Sequence, residues 1–174
     1  MSYFDIAIIC IIAAFGLFGL WFGLVHTIGS LIGTLLGLFL ASRYYAHLAD
    51  WLINITGWST NFSKVLMFIV SFIIIARLVG LIFWIIERAL GIITKLPFIR
   101  GLNHLLGALF GVIEGTIVIG VSIYFISRFP LSFGFMESLA NSSMAPLVVQ
   151  PVKLLLPLIP TAIKFLQSTI ISIF

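Results

Sequence analysis

Charged residues enter this chain late and rarely. From Ile6 to Ser42 there is no Asp, Glu, Lys or Arg, a run of 37 residues. As one straight helix it would be about 55 Å long at 1.5 Å per residue. A single crossing of a hydrocarbon core about 30 Å thick needs about 20 residues. The run is too long for one span. Two compact spans, about residues 4–21 and 24–42, with a tight turn between Trp21 and His26 fit it best, and a re-entrant pair is the alternative. The stretch SRYYAHLADWLINITGWSTNFSK follows, polar and aromatic, with Arg43, Asp50, Trp51 and Trp58. Tyr and Trp favour the headgroup level, so it reads as a loop lying along the membrane surface. A third span, about residues 64–86, is interrupted only by Arg77. ERALGIITKLPFIR, with Glu87, Arg88, Lys95 and Arg100 around Pro97, reads as a connector, and residues 101–127 form a fourth span.

Beyond Arg128 the pattern changes. Pro130, Pro146, Pro151, Pro157 and Pro160 interrupt the chain too often for a clean fifth crossing. In TAIKFLQSTIISIF, helical spacing puts Thr161, Lys164, Ser168 and Ser172 on one face and Ile163, Leu166, Ile170 and Phe174 on the other. That is the pattern of a helix lying in the interface, with a short fifth span as the alternative. The expected organisation is a four-helix transmembrane domain over residues 1–128 and a Pro-broken, amphipathic membrane-surface tail over residues 129–174.

Composition agrees with a bilayer as the solvent. The chain is 62% hydrophobic and only 8% charged, against about 25% charged in a soluble domain. Its formal charge of +4 comes from basic residues scattered singly, with no cluster to track phosphates, so nucleic acid is not an expected partner. Basic flanks at a cytoplasmic membrane face account for the sign better. The N-terminus, MSYFDIAIICII, lacks the basic leader of a cleavable signal peptide and has Asp5 in its place, so it reads as a retained first span. Cys10 is the sole cysteine, which excludes an internal disulfide.

The fourth span carries a glycine ladder, Gly107, Gly111 and Gly115, and the second carries another, Gly29, Gly33 and Gly37. GLVHTIGSLIGTLLG from Gly23 lies over GLNHLLGALFGVIEG from Gly101 at an offset of 78 residues, with the glycines, His26/His104 and two leucines matching. The two copies are separated by two spans and so run the same way. The chain then reads as two hairpins in a parallel repeat about an axis along the membrane normal. Glycine is a poor helix former in water, but between lipid-embedded helices it lets backbones approach closely. Helix packing is the plain use of the ladders; lining a path, or sliding during gating, is the sharper one.

Arg77 and Glu114 are the ionisable residues inside the third and fourth spans, with opposite sign. If the two spans form an antiparallel hairpin, both lie 13 residues from its turn and thus at one depth, about 20 Å in. An intramembrane charge costs at least about 2.5–3.5 kcal/mol on insertion scales, so a pair across the hairpin is expected. Such a pair either fixes the register of the two helices or forms a polar element in a conduction or gating path. Other chemistry is scarce. There is no Ser/His/Asp set, HExxH, CxxC or phosphate-cradling loop, and His26, His47 and His104 have no carboxylate or second histidine at ligand spacing. No catalytic residue, metal or cofactor is expected, and an enzyme is the weakest class.

The opening YFDIAIICII, the turn into GLVHTIGSLIGTLLGLFLASRYY, the segment LNHLLGALFGVIEGTIVI and the tail SLANSSMAPLV resemble the colicin V production protein family over nearly the whole chain. The resemblance implies a small multi-pass protein of the bacterial inner membrane, needed to produce or export a peptide toxin. It implies no established catalytic or binding residues. The sequence departs from the family where the first turn is usually basic and Phe22 and His26 stand here, and where Glu114 replaces a basic residue. The resemblance and the connector charges Arg88, Lys95 and Arg100 favour hairpin turns in the cytoplasm and both termini outside. The leading expectation is an accessory or scaffold in toxin production or export, or in envelope homeostasis. The alternative is an oligomeric channel or small-solute transporter, in which four short helices would need several copies to enclose a pore. The expected partners are the lipid bilayer and either further copies or other membrane proteins.

Overall fold

A helix that is apolar on every face must be covered by something other than water. Four such helices dominate the computed structural model of this protein, which describes residues 3–90, 97–129, 131 and 133–155. They are α1 (Tyr3–Phe22), α2 (Leu24–Thr56), α3 (Thr60–Leu90) and α4 (Pro97–Arg128), each long and apolar enough to cross a membrane. Two short helices follow, α5 (Phe133–Ala140) and α6 (Met144–Leu155). The chain is a helical, multi-pass membrane protein.

The turn expected between Trp21 and His26 is one residue, Gly23, at φ 88°. Its N–H donates to Gly19 O, so the chain leaves α1 and enters α2 without a loop. Gly57 ends α2 in the left-handed conformation (φ 69°), its N–H donating to Ile53 O, and Gly57–Ser59 alone connect α2 to α3.

The helices are longer than hydropathy suggests. The stretch expected as a surface loop continues α2 as far as Thr56 and begins α3 at Thr60. The reason is a stripe at helical spacing: Leu38, Ala41, Tyr45 and Ala49 are all buried. Tyr45 is not a headgroup anchor. Its ring stands edge-on to Phe125 (centroids 4.9 Å) and Phe68 (6.2 Å), and Phe68 stacks on Phe125 at 3.8 Å and 5°. Tyr44 and Trp51 on the other faces, and Trp58 in the connection to α3, stay exposed. At 33 residues α2 is about 50 Å long, so it tilts in a 30 Å core or stands out of it. The expected connector is likewise helical at both ends, through Leu90 and from Pro97, and its Lys95 lies outside the described residues.

Packing within each sequence hairpin is slight: among the described residues α1 meets α2 sparsely, and α3 meets α4 less still. The extensive contacts run between hairpins, α2 along α3 and α1 along α4, with α2 against α4 between them. The glycine ladders explain this pairing. A Cβ on Gly29 would lie 2.7 Å from Phe83 Cβ, one on Gly33 2.7 Å from Ala76 O, and one on Gly37 3.0 Å from Phe72 O, all on α3. On α4, a Cβ on Gly107 would strike the backbone of Gly19 and Gly23, one on Gly111 the Phe15 carbonyl, and one on Gly115 the Phe15 side chain. Each copy of the ladder faces the outer helix of the other hairpin. Exchanging α1 for α3 and α2 for α4 maps one set of contacts onto the other, as a parallel repeat requires.

The proximal part of the tail packs against the bundle. α6 buries Ala145, Val148 and Val152, and Gly120 of α4 sits directly against the Val148 carbonyl. Pro146 falls in the first turn of α6, where its missing N–H costs nothing; Pro151 lies inside the helix. The amphipathic segment with Thr161, Lys164, Ser168 and Ser172 lies outside the described residues.

Candidate functional site: a cavity between α1 and α2

Since α1 and α2 share only the Gly23 turn and then pack on different partners, a cleft opens between them. It holds a cavity of ≈ 280 Å³ to which all four membrane helices contribute. Phe15, Phe18 and Phe22 form an aromatic wall, and Cys10, His26, Thr27, Ser30, Arg77 and Glu114 supply its polar surface.

Glu114 is the best-defined polar element. It is only 6% exposed. Ser30 Oγ donates to its Oε1 at 2.6 Å and Thr34 Oγ1 donates to the same oxygen at 3.0 Å. Both donors come from one face of α2, four residues apart. Glu114 Oε2 receives no protein hydrogen bond among the described residues and is left to the cavity. The depth follows from the turn: Asn103 of α4 lies against Gly23, and Glu114 is eleven residues, about 16 Å, further along. That is close to the middle of a hydrocarbon core about 30 Å thick.

Arg77 belongs to the same cavity but not to the same contact. Gly33 faces Ala76 and Gly80, which sets Arg77 level with Gly33 and Thr34 of α2, and Thr34 in turn is level with Glu114. The two charges therefore share one depth, as their equal spacing from the turn implies. The ion pair expected from that spacing is not formed: among the described residues the carboxylate has hydroxyl donors from α2, and Arg77 is not one of its partners. The cause is the helix order. α2, not α3, packs on α4, so α2 presents its own donors first.

The histidines do not converge. His104 Nδ1 lies 2.7 Å from Leu20 O, His26 packs against the Phe22 ring (centroids 4.6 Å), and His47 is exposed on α2. Among the described residues no group of three His, Cys, Asp or Glu is placed to hold a metal ion.

Two sets of polar residues escaped the sequence reading. One is Ser30 and Thr34, whose small side chains leave no mark on hydropathy. The other joins the two ends of the matched chain. Asp5, 1% exposed, accepts from Ser142 Oγ at 2.5 Å and from Met144 N–H at 3.1 Å, while Ser142 Oγ accepts from Ala145 N–H at 3.0 Å. Ser142 thus caps α6, and the Asp5 carboxylate sits at the positive N-terminal ends of both α1 and α6. The signal available was the string NSSMAP, a serine cap followed by a first-turn proline; its partner is 137 residues away.

The family model described as Colicin V production protein matches residues 4–153, a span that contains Asp5, the cavity and most of α6. The chain is also similar to the "Colicin V production protein" of Escherichia coli (strain K12), at 28% identity over 129 residues, 74% of this chain and 76% of that protein. No solved structure matches the chain.

Proposed function

The chain belongs to the colicin V production protein family, and from that premise we propose that it serves in the bacterial inner membrane as an accessory or scaffold for producing or exporting a peptide toxin, or for envelope homeostasis. On this reading the role is not enzymatic. The observation that supports an accessory over a conduit is the packing. The helices approach closely along the glycine ladders, backbone to backbone at Gly33, Gly37, Gly107 and Gly111, and the cavity at ≈ 280 Å³ falls just below the range of about 300–1,000 Å³ usual for small-molecule sites. A peptide does not fit it. The partners on this reading are the bilayer and further copies or other membrane proteins, which would meet the exposed apolar faces of the helices. The test is complementation in Escherichia coli cells that make colicin V but lack their own relative. Toxin should return to the medium, or any envelope defect of those cells should be reversed. Folded protein at normal levels with neither effect would remove the proposal.

A second reading, an oligomeric channel or small-solute transporter using the Gly-rich helices with Arg77 and Glu114, is favoured by the buried carboxylate that faces a cavity at mid-membrane. Solute flux into vesicles containing the purified protein separates the two, since a scaffold gives none above empty vesicles.

A further inference from the structure

The cavity between α1 and α2 presents an anion and a cation at one depth without letting them touch. Glu114 is nine-tenths buried, spends both its protein hydrogen bonds on one oxygen, and turns Oε2 to the cavity. Arg77 reaches the same space from α3. A lone charge at this depth is costly, and a site offering two opposite charges leaves one of them stranded if its occupant carries only one. The aromatic wall of Phe15, Phe18 and Phe22 suits an apolar stem and also attracts an ammonium group. The volume admits a molecule of amino-acid size.

We propose that this cavity binds a small zwitterion, its ammonium on Glu114 Oε2 and its anionic group on Arg77. Ser30 and Thr34 act as positioning residues: by donating to Oε1 they hold the carboxylate with its other oxygen toward the ligand. The inference takes its cavity from the small-solute reading but requires binding only, not passage. Two sources carry the chemistry, a free amino acid (ammonium and carboxylate) and the headgroup of an aminophospholipid (ammonium and phosphate).

The chain contains its own reporter, because its sole cysteine, Cys10, is exposed and lines the cavity. The experiment measures the rate at which a maleimide labels Cys10 in the purified full-length protein in detergent. The probes are glycine, leucine, glycerophosphoethanolamine, ethylamine alone and propionate alone. A zwitterion should slow labelling saturably, and the singly charged probes should not. Protection by an amino acid only assigns a solute site, and protection by glycerophosphoethanolamine only assigns a headgroup site. Glu114→Gln, which still accepts from Ser30 and Thr34, and Arg77→Gln should each raise the half-protecting concentration at least about tenfold, the scale of one lost charge-assisted hydrogen bond. Melting curves matching the wild type show that both variants are folded. The proposal is overturned if no zwitterion protects the folded wild-type protein, if ethylamine protects as well as the zwitterions, or if either folded variant is protected like the wild type. Toxin complementation and vesicle flux do not enter this readout, so their failure leaves it standing.

Discussion

Replacing Gly33 with alanine tests the packing of α2 on α3 where the ladder comes closest to the α3 backbone. The added Cβ would lie 2.7 Å from Ala76 O, 3.2 Å from Gly80 N and 3.3 Å from Val79 Cβ. Two of these are backbone atoms of a helix and cannot rotate away. Restoring an ordinary contact of 3.4 Å to Ala76 O requires the helices to part by about 0.7 Å, which also opens the neighbouring contacts at Gly29 and Gly37. Overpacking of this kind costs about 1–3 kcal/mol, offset by up to about 1 kcal/mol from alanine's better helix propensity. The control is across the same interface. A Cβ on Gly80 meets nothing nearer than Ser30 Cα at 4.0 Å, so Gly80→Ala keeps the propensity gain without the clash. The propensity gain is common to both, so the two variants should differ by the overpacking cost of about 1–3 kcal/mol, on the order of 2–12 °C in Tm for a chain of this size. The assay is thermal unfolding in detergent, followed by circular dichroism and by loss of the monodisperse peak. Equal melting temperatures for the two variants would refute the reasoning, and so would a lower one for Gly80→Ala.

Three more outcomes follow from particular contacts. In double-mutant cycles, Glu114→Leu should couple to Thr34→Val by about 0.5–1.5 kcal/mol, the range for hydrogen bonds between membrane helices, and more strongly than it couples to Arg77→Leu; the reverse order would restore a direct Arg77–Glu114 pair. Tyr45→Ala should cost about 3–5 kcal/mol in the same melting assay and Tyr44→Ala close to nothing, since one ring is buried among Phe68, Phe125 and Phe129 and the other is exposed; equal costs would return this stretch to the membrane surface. Asp5→Ala should remove the acceptor of Met144 N–H and Ser142 Oγ at the start of α6, about 0.5–2 kcal/mol, and speed labelling of a cysteine placed at buried Val148, whereas Asp5→Asn keeps an acceptor and changes labelling less; a Val148→Cys site that labels at one rate in all three backgrounds would separate the Asp5 contact from the docking of α6.

What the sequence displayed, and what it hid, divides along a physical line. Four spans and the turn at Gly23 were legible because bilayer thickness and helical rise impose lengths that can be counted. Helix ends were not, since hydropathy reports the solvent around a helix rather than the helix itself. Tyr45 and Ala49 look like loop residues by polarity and prove to be core by position. The glycine faces were visible as faces, but periodicity does not say which helix a face meets, and here the partner lies in the other hairpin. The depth shared by Arg77 and Glu114 could be counted. Their separation could not, because it depends on α2 lying against α4 and on two hydroxyls that hydropathy scores as neutral. Asp5 was hidden most completely, as its donors are at the far end of the chain.

The repeat also shows where function should be sought. At the offset of 78 residues that aligns the glycines, the partner positions of Ser30, Thr34 and Glu114 are Ala108, Val112 and Leu36. Every member of the polar trio has an apolar counterpart, and Leu36 is 44% exposed where Glu114 is 6% exposed. The glycines at the helix contacts, with His26/His104, keep the symmetry. The hydroxyls and the carboxylate, which packing does not need and which burial penalises, are the residues that break it. A scaffold built only to hold four helices together gains nothing by placing a carboxylate in one half and not in the other. The broken symmetry therefore separates two layers of the sequence: a duplicated frame that gives the fold, and one unduplicated polar site set into it at the middle of the membrane.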